Sequence, residues 1–324
     1  MTSFQKCKPI IRDNSQYLLS LKELTIRIPK ENTKDKAYFS KLYASSKAGF
    51  DGEKKIDRLL ETIPFPSLHT IIPNFHTQST FGTYYQMDTL IVTNRYILLL
   101  EIKNIRGHIE FQENPAQIIR TYDGVEEKLD CPIHQIIRNT NALSNIVCKI
   151  TTNLPVHAAV VFCNSSAHVS SYPKNAKILY KNQIDFYIEN LNKSPEKVDK
   201  ITFQKIVKRL NSLNNNYKQI SLATRYSIDS MSLRQGIFCE ICESNMYSLR
   251  NSSIFSCNSC NKTDKDIFTN SIIGLFGILG PELKRSQIQT HLSVRTRFGI
   301  IRALTKLNCT KSGSGKSTYY SLPK

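Results

Sequence analysis

Residues 86–103 read QMDTLIVTNRYILLLEIK, two β-rich runs on either side of the polar dipeptide Asn94-Arg95. Runs of Ile, Leu, Val and Tyr that flank a short polar turn predict a β-hairpin. A two- or four-residue turn centred on this dipeptide pairs residues that are equally distant from it, so Asp88 would lie opposite Glu101. A three-residue turn would shift this register by one residue.

The predicted hairpin brings charged side chains together at one end. In the expected register Asp88 and Glu101 have Cβ atoms ~4.5–5.5 Å apart, and Lys103 lies on the same face two residues along. Adjacent carboxylates repel each other unless a positive charge lies between them, and a divalent cation with oxygen ligands fits that position. Such a cation beside an ammonium group suits phosphodiester hydrolysis. Taken alone, the same residues could also form a solvated strand face.

The flanking sequence predicts further helices and strands. Apolar residues at helical spacing, with Asp51 placed to cap the first turn, predict a helix over 49–60. Other segments read as strands (70–73, 84–93, 96–105 and 156–162) and as a helix (about 133–147). This order of elements is typical of an α/β fold.

Four short blocks of residues follow one another in this region. They are Gly49-x-x-Gly52-Glu53, Gln86-x-Asp88, Glu101-x-Lys103-Asn104 followed by Gly107, and Pro132-x-x-Gln135. In these blocks the chain resembles the nuclease-related domain (NERD) proteins of the PD-(D/E)xK nuclease superfamily, over about residues 45–165. Two features depart from the family pattern: Cys131 stands where the family usually has Asn, and the chain contains no Trp.

The resemblance implies a restriction-endonuclease-like core, in which a mixed sheet is flanked by helices. It implies that Asp88 and Glu101 bind Mg²⁺ or Mn²⁺, and that Lys103 is the catalytic base or an electrostatic stabiliser. Glu53 and Gln135 would complete the site. Without the resemblance, Glu53 reads as a first-turn acid that the helix dipole favours, and Gln135 reads as a cap partner.

Four of the nine cysteines form two close pairs, Cys239-x2-Cys242 and Cys257-x2-Cys260. Two such knuckles supply four thiolates to one tetrahedral Zn²⁺ ion, which leaves no open coordination position. We therefore predict a zinc ribbon with one structural Zn²⁺. The alternative is a redox role for either pair, but a thioredoxin-like motif would occur once, at a strand-to-helix turn.

The last part of the chain is strongly basic. The whole chain has a net charge of +18, and residues 200–324 contain 19 basic and 6 acidic side chains. Positive charge of this kind attracts polyanions, and no strongly amphipathic basic helix indicates a membrane partner. We therefore expect duplex DNA as the partner and no membrane. A surface that only improves solubility is the alternative.

The last 45 or so residues, 281–324, resemble a winged helix-turn-helix. Apolar residues predict two helices, and Val294, Phe298, Ile301 and Leu304 would form the buried face of the second. Basic residues form a separate stripe on that helix and continue into the β-wing; they are Arg295, Arg302, Lys306, Lys311 and Lys316. If the second helix enters the major groove, these side chains contact DNA. An ordinary helical hairpin with a basic face is the alternative.

These inferences divide the chain into five segments. They are an accessory arm of unassigned role (1–44), a nuclease-related domain (45–190), a helical connector (191–235), a zinc ribbon (236–265) and a winged-helix-like DNA-binding domain (266–324). We expect a metal-dependent DNA endonuclease that holds DNA through its basic C-terminal half. The alternative is a DNA-binding regulator or scaffold with an inactive nuclease core. With neither a membrane-spanning apolar run nor a secretory signal, we expect a cytoplasmic location.

Overall fold

The computed structural model describes residues 4–12, 15–79, 82–171, 176–215, 220–248, 254–294 and 297–323. Its helices are α1 (Ser15–Arg27), α2 (Thr33–Leu60), α3 (Pro132–Val147), α4 (Ile184–Asn192), α5 (Lys200–Asn215), α6 (Leu222–Arg225), α7 (Ile267–Leu279), α8 (Arg285–Leu292) and α9 (Arg297–Lys306). Its strands are β1 (Phe4–Lys6), β2 (Pro64–Pro66), β3 (His69–Gln78), β4 (Tyr84–Thr93), β5 (Ile97–Lys103), β6 (Gly107–Glu113), β7 (Ala116–Tyr122), β8 (Val125–Asp130), β9 (Val156–Phe162), β10 (Ala167–Val169), β11 (Lys177–Tyr180), β12 (Met246–Ser248), β13 (Phe255–Cys257), β14 (Thr263–Asp264), β15 (Glu282–Lys284), β16 (Thr310–Ser312) and β17 (Tyr319–Ser321).

The chain forms two compact units, each made of two stretches of sequence. The first unit comprises Met1–Arg12 and Ala48–Tyr217, and the second comprises Asp13–Lys47 and Lys218–Lys324. The expected accessory arm is therefore divided between the two units, and so is the expected connector. Helix α2 begins in the second unit and ends in the first.

The hairpin predicted from residues 86–103 forms the middle of a five-stranded sheet in the first unit. Strands β4 and β5 pair antiparallel with Thr89 opposite Leu100, which confirms the predicted register. A hydrogen bond of 2.9 Å from Thr93 N to Tyr96 O closes the turn. The strand order is β11-β9-β5-β4-β3, in which β3, β4 and β5 are antiparallel and β5, β9 and β11 are parallel.

Helices cover both faces of this mixed sheet. Successive side chains of a strand point to opposite faces, so Leu99 joins the core with α3 and α5, whereas Leu98 and Leu100 join the core with α2 and α4. All three leucines are fully buried, and burial of one such side chain contributes ~1.5–3 kcal/mol. The predicted fold class, an α/β core with a mixed sheet flanked by helices, is therefore confirmed.

A second sheet of the first unit is missing from the sequence-based prediction. Its order is β10-β6-β7-β8, with β6, β7 and β8 antiparallel. Most side chains of β6 and β8 are exposed or half-buried, so these segments lack the apolar run that marks a buried strand. Gly107 begins β6 at φ +98°, and a Cβ there would lie 2.5 Å from Thr121 O. This conformation and this close contact together require glycine.

Helix α2 approaches the end of the five-stranded sheet closely at Gly52. A Cβ added to Gly52 would lie 2.6 Å from Asn104 Cβ and 2.8 Å from Cys163 Sγ. Asn104, directly after β5, donates a hydrogen bond of 2.8 Å from Nδ2 to Ala48 O. Because Glu53 follows Gly52, this contact sets the place of Glu53 relative to the sheet.

We predict that Gly52→Ala destabilises the protein by ~1–3 kcal/mol, because the new methyl group overlaps its neighbours. Gly49→Ala is the matched control on the same helix, since no described atom beyond the local helix backbone lies within 4 Å of its added Cβ. It should leave stability unchanged or raise it by up to ~1 kcal/mol through helix propensity. Urea denaturation measures the stability of both variants. Equal unfolding midpoints for Gly52→Ala and Gly49→Ala would contradict the close approach of α2 to the sheet.

In the second unit, helix α1 packs against α7 through small residues. A Cβ added to Gly277 would overlap the hydroxyl oxygen of Ser20. Arg27, at the end of α1, is fully buried. It donates hydrogen bonds to three backbone carbonyl oxygens, those of Arg234, Gly236 and His291. Helix α1 is therefore part of the core of this unit.

The last part of the second unit runs in the order α7, β15, α8, α9, β16 and β17, and its strands pair antiparallel in the order β15-β17-β16. The predicted buried face of α9 is wrong for Phe298 and Ile301, which are 67% and 40% exposed. The buried face consists of Ile300, Ala303 and Leu304. Both sets follow helical spacing, so hydropathy alone does not distinguish them.

Helix α7 is strongly apolar but short. Its 13 residues extend ~20 Å, whereas the hydrocarbon core of a bilayer is ~30 Å thick. Among the described residues, no helix combines the length and the hydropathy that a membrane span requires.

Candidate functional site

The charged residues of the hairpin lie together at one end of the five-stranded sheet. Asp88, on β4, accepts a hydrogen bond of 2.7 Å at Oδ2 from the backbone N–H of Ile102. Lys103, on β5, donates from Nζ to Glu101 Oε1 at 2.7 Å and to Gln135 Oε1 at 3.4 Å. Four of the predicted site residues are therefore neighbours.

Glu53, on α2, is linked to this group by Arg12. Arg12 Nη1 lies 2.9 Å from Glu53 Oε2 and donates at 2.8 Å to the backbone carbonyl of Asp88. The rest of the guanidinium group forms a two-point ion pair with Asp57, with N to O distances of 2.7 and 2.9 Å. We refer to Glu53, Asp88 and Glu101 as the carboxylate cluster.

Three residues around the site are missing from the sequence-based prediction: Arg12, Asp57 and Asn139. Asp57 lies one helical turn after Glu53, so helical spacing could have found it. Asn139 lies one turn after Gln135, is almost fully buried, and donates at 2.7 Å to a backbone carbonyl of β4. Arg12 lies in a segment without a recognisable motif, and no local pattern points to it.

The carboxylate cluster carries more negative charge than its neighbours neutralise. Burial and, after it, the Asp88 carboxylate raise the pKa of Glu101 to about 8 and that of Glu53 to about 7. Burial also raises the pKa of Asp88. Burial acts to lower the pKa of Lys103, but attraction to Glu101 and Asp88 outweighs it, so the net shift is upward. Lys103 therefore stays charged, while Glu101 retains its proton at pH 7 and Glu53 is partly protonated there.

One oxygen of the cluster is suited to a metal ion. Glu101 is only 1% exposed, and its Oε2 accepts no hydrogen bond from any described residue. Burying an acceptor without a partner costs ~1–3 kcal/mol, and more when the group is charged. A divalent cation would satisfy this oxygen, and carboxylate oxygens are the ligands that Mg²⁺ and Mn²⁺ prefer. The residues present therefore fit the divalent cation that the family resemblance implies.

The four paired cysteines form a second candidate metal site, the cysteine cluster, in the second unit. Their Sγ atoms all lie within 4.8 Å of one another, with 3.5 Å between Cys239 and Cys260 and 3.4 Å between Cys242 and Cys257. Sulfur ligands at ~2.3 Å from one Zn²⁺ ion lie ~3.8 Å apart, so the cluster has a suitable size. Strands β12, β13 and β14 form the antiparallel sheet of this segment, and the arrangement fits a zinc ribbon.

The two knuckles of the cysteine cluster have the same backbone geometry. Glu243 N donates to Cys239 O and Asn261 N donates to Cys257 O, both at 2.9 Å. Glu243 and Asn261 have φ values of 56° and 57°, in the left-handed region. A tight turn of this kind allows both thiols of a pair to reach one ion.

The residues expected to contact DNA lie in the last part of the second unit. Arg302 and Lys306 are exposed on α9, and Lys311 is exposed on β16. Arg295 and the side chain of Lys316 lie outside the described residues. Within the described part of α9, the predicted basic stripe thus consists of Arg302 and Lys306.

The carboxylate cluster lies within a segment that is similar to a known family. Residues 48–163 match the nuclease-related domain. Over 145 residues the chain is also 24% identical to an uncharacterized protein of Bacillus anthracis, a match that covers 44% of this chain and 66% of that protein. The match thus spans slightly less than two thirds of that relative. No solved structure matches the chain.

We predict that Glu101 makes the protein less stable as the pH rises, when no divalent cation is added. The unfolded chain ionises this carboxyl near its ordinary pKa of 4.5, whereas the folded protein retains the proton up to about pH 8. The stabilisation from this group is therefore complete below pH 4.5, declines above it, and is lost once the pH exceeds 8.

Glu101→Gln has no proton to lose at this position and serves as the reference. Thermal unfolding should show its Tm rising relative to wild type between pH 5 and pH 8, by on the order of 10 °C, and then levelling off. A constant Tm difference across this range would contradict the raised pKa.

Proposed function

We propose that this protein is a metal-dependent DNA endonuclease that hydrolyses phosphodiester bonds at the carboxylate cluster. The proposal rests on Glu101 Oε2, which is buried without a hydrogen-bond partner among the described residues while Oε1 of the same carboxyl binds Lys103. The match of residues 48–163 to the nuclease-related domain supports the same chemistry. Asp88 and Glu101 would hold the cation, which when bound activates water and offsets charge on the phosphate.

The other residues have separate roles in this proposal. Lys103 keeps its proton, because the neighbouring carboxylates raise its pKa despite burial. It therefore stabilises negative charge on the phosphate rather than accepting a proton from water. Gln135 accepts a hydrogen bond from the Lys103 ammonium group and so orients it. Glu53, which Arg12 holds next to Asp88, would complete the binding site of the cation.

We predict that Asp88→Asn and Lys103→Met each lower Mg²⁺-dependent nicking of supercoiled plasmid by on the order of 10³-fold or more. The first change removes a cation ligand, and the second removes the charge that stabilises the phosphate. Glu110→Gln is the control, since it removes an exposed carboxylate of β6 and should leave the rate unchanged.

Circular dichroism of each variant checks that the fold is retained. Wild-type rates in both Asp88→Asn and Lys103→Met would overturn the endonuclease proposal. A wild-type protein that binds DNA and never cuts it would instead support the alternative, a regulator or scaffold with an inactive nuclease core.

We further propose that the second unit holds the DNA through a winged helix. The order α7, β15, α8, α9, β16, β17 with an antiparallel three-stranded sheet supports this proposal, in which α9 would enter the major groove. Arg302 is exposed on α9 and Lys311 is exposed on the first strand of the wing. Lys306 Nζ lies 4.0 Å from Asp266 Oδ1, so the carboxylate partly offsets the charge of the lysine. Arg302 and Lys311 are therefore the stronger phosphate contacts.

We predict that Arg302→Gln and Lys311→Gln each weaken DNA binding and flatten its salt dependence. One lost phosphate contact lowers the slope of log affinity against log salt concentration by ~0.9 on duplex DNA. Lys193→Gln removes the same charge at an exposed position that follows α4 in the first unit, and it should leave the slope unchanged. Fluorescence anisotropy at several salt concentrations measures all three. Salt slopes in Arg302→Gln and Lys311→Gln that equal the slope of wild type would contradict the winged-helix proposal.

We propose that the cysteine cluster holds one structural Zn²⁺ ion. We predict one zinc per chain in the native protein and none in Cys257→Ser, measured by elemental analysis after dialysis. The second unit of this variant should also lose stability, because a structural zinc site contributes folding energy. Cys148→Ser changes an exposed cysteine of the first unit and should retain the zinc. Native protein without zinc would refute the assignment.

A further inference from the structure

Arg12 has a central place in the first unit, although it lies outside the segment 48–163 that matches the nuclease-related domain. Its side chain is 1% exposed. The guanidinium group donates five hydrogen bonds of 2.7–2.9 Å, namely two to the Asp57 carboxylate and one each to Glu53 Oε2, Asp88 O and Thr89 Oγ1. Every N–H group of a guanidinium can donate, and this one uses all three nitrogens.

These hydrogen bonds join two different elements. Glu53 and Asp57 lie on helix α2, whereas Asp88 and Thr89 lie on strand β4. A guanidinium group is planar and rigid, so it fixes the distance and the angle between the groups that it binds. Arg12 therefore holds the carboxylate of Glu53 in register with the strand that carries Asp88.

The segment that carries Arg12 has its own attachment to the first unit. Strand β1 pairs antiparallel with β2, and Ile10 N donates to Glu61 Oε1 at 2.7 Å. These contacts lie outside the carboxylate cluster. The place of Arg12 thus follows from the fold of the N-terminal segment as well as from its own ion pairs.

The two cations of the site have separate partners. Lys103 binds Glu101, whereas Arg12 binds Glu53 and the backbone of Asp88. Of the three carboxyl groups in the cluster, Glu53 comes from a helix and has to be brought to the sheet. The close approach at Gly52 places the helix, and Arg12 joins the Glu53 carboxylate itself to the strand that carries Asp88.

We propose that Arg12 is a positioning residue of the candidate nuclease site, which fixes Glu53 relative to Asp88 so that the divalent cation binds. The functional unit would then include residues 4–12 in addition to the segment 48–163. The inference rests on the proposed function, because it assigns Arg12 a role in that same site. Arg12 acts through Glu53 and does not itself contact substrate.

The test uses the full chain and two measurements on wild type, Arg12→Gln, Glu53→Gln and the double variant. The first is the Mg²⁺ dependence of plasmid nicking, and the second is Mn²⁺ affinity by isothermal titration calorimetry, which requires no activity. Arg12→Gln should raise the half-maximal Mg²⁺ concentration and the Mn²⁺ Kd tenfold or more, with an unchanged KM for DNA. When Glu53→Gln is already present, adding Arg12→Gln should change the half-maximal Mg²⁺ concentration and the Mn²⁺ Kd by less than twofold. Lys8→Gln removes an exposed charge of the same segment and should match wild type.

A second variant keeps the test decisive if Arg12→Gln does not fold. Thr89→Val removes one acceptor of the guanidinium group and leaves the charge of Arg12 paired with Glu53 and Asp57. It should raise the half-maximal Mg²⁺ concentration about threefold.

Three results would overturn the inference while the wild-type protein cuts DNA. The first is a folded Arg12→Gln variant whose Mg²⁺ and Mn²⁺ dependence equals that of wild type. The second is a double variant in which Arg12→Gln still raises the half-maximal Mg²⁺ concentration and the Mn²⁺ Kd tenfold over Glu53→Gln alone. The third, if Arg12→Gln does not fold, is a Thr89→Val variant with the Mg²⁺ dependence of wild type. A wild-type protein that neither cuts DNA nor binds Mn²⁺ would overturn the proposed function itself.

Discussion

Three carboxyl groups at one end of a β-sheet, of which Asp88 and Glu101 are buried and Glu53 is half-buried, impose the constraint on which the rest of the first unit depends. A carboxylate loses its hydration on burial, and this cost is repaid only by hydrogen bonds, by cations or by retaining a proton. The protein supplies one partner to each group: the backbone N–H of Ile102 for Asp88, the ammonium group of Lys103 for Glu101, and the guanidinium group of Arg12 for Glu53. These partners leave one buried oxygen of Glu101 without a hydrogen bond from any described residue.

The structure around the cluster provides the stability that the cluster itself lacks. Leu98, Leu99 and Leu100 are fully buried directly before Glu101 and alternate between the two cores of the sheet, so the strand that carries the charges is held on both faces. Gly52 brings helix α2 close to the sheet. The carboxylate cluster, whose burial is unfavourable for folding, is thus held by well-packed strands and a closely packed helix. This arrangement is expected where a site has a function.

The parts of the fold that the sequence predicts are those with a local pattern. The register of β4 and β5 follows from a short turn between two apolar runs, and the cysteine cluster follows from two close pairs. Arg12 could not be predicted, because its partners lie 41 to 77 residues away and no periodicity connects them. The burial of Arg27 could not be predicted for the same reason, because its backbone carbonyl partners lie 207 to 264 residues away. The buried face of α9 was assigned wrongly since Phe298 and Ile300 both belong to helical apolar patterns.

The most direct test of the central claim is to locate the cation in crystals of the protein soaked with Mn²⁺, by anomalous diffraction at the manganese absorption edge. We predict an anomalous peak ~2.1 Å from Glu101 Oε2 and at a similar distance from an Asp88 carboxylate oxygen. The same peak should be absent in Asp88→Asn. Manganese bound only at exposed carboxylates, with none between Asp88 and Glu101, would contradict the account.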